Sequence, residues 1–199
     1  MSREPATLIV LAGGEARRLG FPKHRLTVDG ERVIDRLHHR LGPLFVETVV
    51  IGRDLGGLPP GVRSAEDRCA VRSPLVGIHA GLSASRTDLA FVVACDMPYV
   101  EPALVEFLLS QAEGTGVVVP VVRGYVEPLC AAYRRTCLEA IERLIERGTL
   151  KVSELYPLVG VRRVGETEAL QYDPQLQSFV NLNVPTVIET AGEAGRPCG

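Results

Sequence analysis

The sequence has no tryptophan, and it has only two lysines, Lys23 and Lys151, against 20 arginines. No run approaches the roughly 18 apolar residues that a membrane-spanning helix needs, so no such helix is expected. The five cysteines, Cys69, Cys95, Cys130, Cys137 and Cys198, include no C-x-x-C pair, and the four histidines show no metal-ligand spacing. His38 and His39 are adjacent, so on a helix they diverge by about 100° and do not share a metal easily. Neither a disulfide framework nor a zinc site is expected, and Cys95 and Cys130 read as small core residues. No sign of charge dominates: a net charge of −2 argues against a general nucleic-acid binder. Met1 to Pro5 is polar and the apolar run after it is too short for a secretion signal, which gives a cytoplasmic location as the expectation.

Two familiar phosphate-binding patterns are also missing. A P-loop requires G-x-x-x-x-G-K-[ST], but Gly14 and Gly20 are six apart and Phe21-Pro22 separates Gly20 from Lys23. The dinucleotide pattern G-x-G-x-x-G is not supplied by Gly13-Gly14 and Gly20 either. What stands there instead is Leu11-Ala12-Gly13-Gly14-Glu15-Ala16-Arg17-Arg18-Leu19-Gly20-Phe21-Pro22-Lys23, after the apolar strand candidate Thr7 to Leu11. Adjacent glycines allow a sharp turn and remove the Cβ atoms that keep a ligand from main-chain N–H groups. Arg17, Arg18, Lys23 and Arg25 place four positive charges within nine residues. The pattern reads as a phosphate cradle; a tight turn with a solvated basic face is the alternative. A lysine kept in so arginine-rich a chain adds a compact, flexible charge able to reach a phosphate.

Further along, Val33, Ile34, Leu37 and Leu41 recur at helical spacing after the Asp29-Gly30 turn. Val46 to Ile51 reads as a second strand and Gly52 to Gly61 as a loop, followed by a weak strand candidate ending near Glu66-Asp67. Ser73-Pro74 opens a helix to about Ser85, in which Gly77 and Gly81 signal close packing or a ligand near the backbone. Leu89 to Cys95 is continuously apolar, as in a strand covered on both faces. Glu101-Pro102 starts another helix. Gly116 to Val122 and Glu127 to Tyr133 read as extended, the former weakened by Pro120. Thr136 and Glu139 form a candidate capping box for a helix ending at Gly148. Val161 to Val164 is a last strand candidate, with a short helix at 186–191 and a disordered tail at 192–199. Strands alternating with helices, with no repeat and no long linker, predict one domain over 1–191: a three-layer α/β protein with a mainly parallel sheet and an antiparallel pair at one edge.

In such a sheet ligands bind beyond the carboxyl ends of the strands. Asp96, which follows the central apolar strand, falls there together with the glycine loop. An isolated aspartate at this point reads equally as a turn or cap residue. Paired with a cationic loop on the same edge it reads better as a ligand for Mg²⁺, which takes one or two carboxylates and completes its shell with water and phosphate oxygens.

The loop Leu11-Ala12-Gly13-Gly14-x-Ala16-Arg17-Arg18-Leu19-Gly20-x-x-Lys23 resembles the signature of the MobA-like nucleotidyltransferases. Four further stretches match in order: Ser73 to Gly77, Ala94 to Tyr99, Glu127 to Tyr133, and Phe179 to Pro185. The resemblance implies a Rossmann-like α/β/α nucleotidyltransferase fold and transfer of GMP from GTP to the terminal phosphate of the molybdopterin cofactor, with release of pyrophosphate. By position, Leu11, Ala12, Gly13 and Gly14 would meet the nucleotide through the backbone, with Asp67 also on the nucleotide. Lys23 and Arg17 would serve the triphosphate and the transfer, Asp96 would hold Mg²⁺, and Asn181 and Asn183 would lie near the acceptor or the metal. The implied partners are GTP and molybdopterin, then molybdenum-insertion proteins and molybdoenzyme apoproteins, with no nucleic acid and no membrane. Three departures from the family pattern stand out: Pro22 where an aspartate is common, Val76 for alanine, and Gly52 where some members carry a nucleotide-contacting asparagine. The first and third bear on base identity. They keep open a cytidylyltransferase, a nucleotidyltransferase for another phosphorylated acceptor, and, from a different class, a non-catalytic nucleotide- or cofactor-binding carrier.

Overall fold

The computed structural model describes residues 4–13, 15–16, 21–22, 25–66 and 73–182. The expected helix at 186–191 and tail at 192–199 lie outside them. The first strand, β1 (Ala6–Leu11), is buried at every position, and so is β8 (Leu89–Ala94), as their unbroken apolar runs require. Between them in sequence lie two short hairpins, β2 (Glu15–Ala16) with β3 (Phe21–Pro22) and β4 (Thr27–Val28) with β5 (Glu31–Arg32). The second turns on Asp29 and Gly30, both at positive φ (52° and 78°), where glycine is at no steric disadvantage. Then come α1 (Val33–Leu41), β6 (Glu47–Ile51), β7 (Val62–Ala65) and α2 (Pro74–Ala84). After β8 follow α3 (Pro102–Ser110), β9 (Val117–Val122), β10 (Tyr125–Val126), β11 (Cys130–Arg134), α4 (Leu138–Glu146), β12 (Val161–Gly165) and α5 (Glu166–Ala169).

The main sheet runs β10-β9-β11-β8-β1-β6-β7, with β12 paired to β9. Strands β8, β1, β6 and β7 are mutually parallel, β11 is antiparallel to β8 and β9, and β12 is parallel to β9. The expected parallel sheet with an antiparallel section is thus present. Pro120, which weakens β9 as a sequence reading, is accommodated: its carbonyl accepts from Glu127 N at 3.0 Å.

Alternation along β1 sends Leu8 and Val10 to one core layer and Ile9 and Leu11 to the other. The first layer holds α1 and α3 through Val33, Ile34, Leu37, Leu104, Val105 and Leu108. The second holds α2 and α4 through Leu75, Ile78, Leu82, Ile141 and Leu144. The two helical glycines resolve to packing: a Cβ on Gly81 would lie 2.5 Å from Ile9 Cγ2, and one on Gly77 would lie 3.3 Å from Leu11 Cδ2. One local expectation fails. The Thr136–Glu139 capping box does not form; a 3₁₀ turn over Arg135–Cys137 leads into α4, whose N-cap is Cys137 with no side-chain cap bond. A helix entered from a preceding turn already has its first backbone groups engaged, so the box has less to do.

Candidate active site

The hydrogen-bond ladder of the parallel strands runs one step past the carboxyl end of each strand. Gly52 N donates to Ala65 O (3.1 Å), Ala12 N to Ile51 O (2.8 Å), Cys95 N to Leu11 O (3.0 Å) and Ala94 N to Leu129 O (3.1 Å). The first three stitch the first residues of the loops after β1, β6 and β8 into one row, and the fourth ties Ala94, the last residue of β8, to the residue before the antiparallel β11. Ala12 is buried and Gly13 is exposed at the point where the glycine loop leaves the sheet. Among the described residues, the nearest atom to a Cβ on Gly13 would be Ile51 O, at 4.0 Å. The arms of the glycine loop pair as the β2–β3 hairpin, Glu15 with Pro22 and Ala16 with Phe21. Gly14, Arg17 and Lys23 lie outside the described residues, as do Asp67 and Asn183.

Asp96 sits in the turn after β8, only 6% exposed, in which Met97 N donates to Ala94 O at 3.1 Å. A residue distant in sequence reaches this turn: Leu182 N donates to Asp96 O at 2.8 Å. The tertiary fold therefore brings the backbone next to Asn181, which is exposed, to the Asp96 turn. Gly13 and Asp96 emerge on adjacent strands, β1 and β8, joined at that end by the Cys95–Leu11 bond.

The Glu127 to Tyr133 stretch braces this edge. The Tyr133 hydroxyl donates to Pro128 O at 2.8 Å, Leu129 O receives the Ala94 N–H, and Cys130 N donates to Glu127 O at 3.2 Å. Cys130 is fully buried, and burial, then the Glu127 and Asp173 carboxylates, pushes its thiol far above the usual range. A thiol so strongly held in its protonated form is a core residue and not a nucleophile. Glu127 is half-buried, and its desolvation raises the carboxyl above its ordinary range.

Gly52, a departure at the level of sequence, has a packing reason here. A Cβ at that position would lie 2.8 Å from Leu55 Cδ2 and 3.4 Å from the Ala12 Cβ. Leu55 is 7% exposed and fills the space a longer side chain would use. Sequence reasoning missed Leu55 because nothing local marks it. It also missed Asp173 and Ser178, buried polar residues, the second of which has a partner, Glu101, that only the fold supplies.

Among the described residues no group of three or more His, Cys, Asp and Glu side chains is placed to hold a metal. Mg²⁺ needs no such cage, since it keeps waters and takes substrate phosphate oxygens. A buried carboxylate such as Asp96 fits an ion shared with a phosphate-bearing ligand and does not by itself fit a structural metal. Nor is any helix among the described residues long and apolar enough to cross a membrane.

Comparison with known proteins places these features in a family. Residues 8–160 match the family model described as the MobA-like NTP transferase domain. A molybdenum cofactor guanylyltransferase of Desulfosudis oleivorans is 36% identical over 194 residues, covering 96% of both chains. The crystal structure of molybdopterin-guanine dinucleotide biosynthesis protein A from Archaeoglobus fulgidus superposes with a TM-score of 0.78 at 28% identity, covering 90% of this chain and 93% of that one. At 20% identity, 2-C-methyl-D-erythritol 4-phosphate cytidylyltransferase from Thermus thermophilus shares the fold with a TM-score of 0.62, covering 87% and 98% of the two chains. The fold by itself does not select the base.

Proposed function

The chain belongs to the MobA-like NTP transferase family, and on that premise we propose that it transfers GMP from GTP to the terminal phosphate of the molybdopterin cofactor, releasing pyrophosphate. It is a nucleotidyltransferase; guanine, the acceptor and Mg²⁺ are the proposed particulars. The observation that carries the reading is the row of loop starts at the carboxyl edge, with Gly13 and Asp96 following neighbouring strands and Leu182, the residue after Asn181, bonded to Asp96. Guanine is supported by the near full-length similarity to a relative named as a guanylyltransferase.

The acceptor phosphate is itself a nucleophile, so the protein has no need of a side chain that attacks. Its work is alignment of two phosphates and neutralisation of charge at the transferring phosphorus and the departing pyrophosphate. The main chain from Leu11 to Gly14 lines the nucleotide, with the Ala12 N–H itself held by Ile51 O; Asp67 holds it, and Lys23 with Arg17 meets the triphosphate. Asp96 holds the cation, and Asn181 and Asn183 hold the acceptor. When bound, Mg²⁺ supplies charge neutralisation and a template for the phosphate oxygens. The same set explains why no triad or histidine base is needed.

Thermal unfolding with GTP, CTP, ATP or UTP, each with MgCl₂, tests the base. A ligand at about 100 times its Kd adds roughly 2.7 kcal/mol, and at about 2–4 °C per kcal/mol the true nucleotide raises Tm by about 5–11 °C. GTP is expected to give that shift. A shift with CTP and none with GTP refutes the guanylyl reading and leaves the transfer chemistry standing.

A further inference from the structure

Between α5 and the end of the described residues, the chain folds back over the Asp96 loop through a buried polar relay. Asp173 is 2% exposed, yet both of its carboxylate oxygens are used: Oδ1 accepts from Gln177 N at 3.0 Å and Oδ2 from Ser178 N at 2.8 Å. A carboxylate buried this deeply is tolerated only when such bonds replace its water. They wind residues 177–179 into a 3₁₀ turn, entered through Leu176 in the left-handed region at φ 52°. The turn aims the Ser178 hydroxyl, itself fully buried, at the loop opposite, where its Oγ accepts from Glu101 N at 2.9 Å. Beyond it, Val180 N closes the turn onto Gln177 O (3.0 Å), and Leu182 N reaches Asp96 O at 2.8 Å.

Asn181 therefore sits between two anchors, Ser178 on Glu101 and Leu182 on Asp96, and both anchors belong to the single loop 96–101. That loop is braced from its other side by α1: Arg40 pairs with Glu101 at 3.0 Å, and Arg36 lies 5.6 Å over the Tyr99 ring. A stacked Phe107–Tyr172 pair, with centroids 4.2 Å apart and planes at 13°, fastens the start of the segment to α3. The segment thus makes specific polar contacts at the loop that carries Asp96.

We propose that Asp173 and Ser178 are positioning residues that clasp the C-terminal segment onto the Asp96 loop and so set Asn181 in its acceptor-binding place. The proposal rests on the reading of Asn181 given above. Asp173 acts through Ser178, and Ser178 acts through the loop; neither touches the reacting atoms. Acceptor binding depends on the clasp, whereas nucleotide binding, assigned to the loop after β1 and to Asp67 beyond β7, does not.

The test begins without substrate. In Ser178→Ala and Asp173→Asn, amide hydrogen exchange at Leu182 is expected to accelerate about 10-fold, the consequence of one lost hydrogen bond in the clasp. Amides of β1 and β8 should be unchanged. Unaltered exchange at Leu182 in a folded Ser178→Ala protein overturns the clasp. Ser178→Ala removes one acceptor and is the deciding variant where Asp173→Asn does not fold. Kinetics then separate positioning from general damage. Ser178→Ala should raise the acceptor KM about 10-fold, keep the GTP KM within about twofold, and add almost nothing to Asn181→Ala in the double variant. Additive losses, or equal losses on GTP and acceptor, overturn the proposal. A wild-type enzyme that transfers no guanylyl group refutes the functional reading instead, and the exchange experiment still decides the clasp.

Discussion

At the amino end of the parallel strands, Glu47 gathers donors from three directions. Thr7 Oγ1 donates to it at 2.8 Å, Arg86 N at 2.6 Å and Arg63 at 2.5 Å. Around it Arg134 forms a two-pronged pair with Glu4, both bonds 2.8 Å, Arg63 donates to Ala84 O, and Arg135 donates to Ser85 O. Among the described residues at the carboxyl end the links between loops are mostly main-chain bonds, and the side chains there include a buried Asp96, an exposed Asn181 and a half-buried Glu127. Among the described residues, the amino end is joined mainly through charged side chains and the carboxyl end mainly through backbone. Opposite pKa directions record the difference. Burial alone pushes the Glu47 carboxyl up, but the bonds from Arg86, Arg63 and Thr7 together bring it below its usual range. Burial of Glu127 has no such answer and raises it.

The largest test of this contrast is Asp96→Ala. Turnover should fall by about 10²–10³ or more, since a preorganised charge contact is lost, while Tm changes little. Full pyrophosphate release in the presence of acceptor removes Asp96 from the chemistry. At the opposite end, Glu47→Ala should cost about 2 kcal/mol and lower Tm by about 4–8 °C, with kcat and KM unaltered. Because the folded Glu47 titrates below its unfolded value, its stabilisation is present above the usual glutamate pKa and fades as pH falls through the lowered one. The acid limb of a Tm–pH profile should therefore flatten in the variant. A drop in activity without loss of Tm would mean that the two ends are not separate in role.

A smaller effect distinguishes two positions on one helix. Gly81→Ala forces a Cβ against Ile9, and overpacking should outweigh the gain in helix propensity by about 1 kcal/mol, lowering Tm by about 2–4 °C. Gly77→Ala meets only the flexible end of Leu11 and should leave Tm unchanged or raise it slightly. Equal melting of the two variants would show that the gap between α2 and β1 is uniform. The smallest effect belongs to Glu127→Gln, which should raise Tm by about 1–2 °C at neutral pH. Its charged form is disfavoured in the fold, so the gain should shrink as pH falls towards the unfolded glutamate pKa; a gain that grows with acid would contradict the burial argument.

Much of this molecule was readable from local pattern. The unbroken apolar runs of β1 and β8 and the helical spacing of Val33, Ile34, Leu37 and Leu41 are properties of single segments, and each formed as its period demands. Asp96 at the end of a buried strand pointed to the ligand edge for the same reason. Other matters had no local signal. Glu47 finds partners 16, 39 and 40 residues away. Leu55 turns the glycine at position 52 from a missing contact into a packing requirement, and a preceding turn made the Thr136–Glu139 box superfluous. The sequence by itself determined the layers and the edge to which the proposed nucleotide site is assigned, because periodicity and strand ends act within one element. Only the tertiary structure decided what stands next to Asp96: the Leu182–Asp96 and Ser178–Glu101 bonds join segments 77 or more residues apart, and a contact across that distance is set by packing and not by the chain's neighbours.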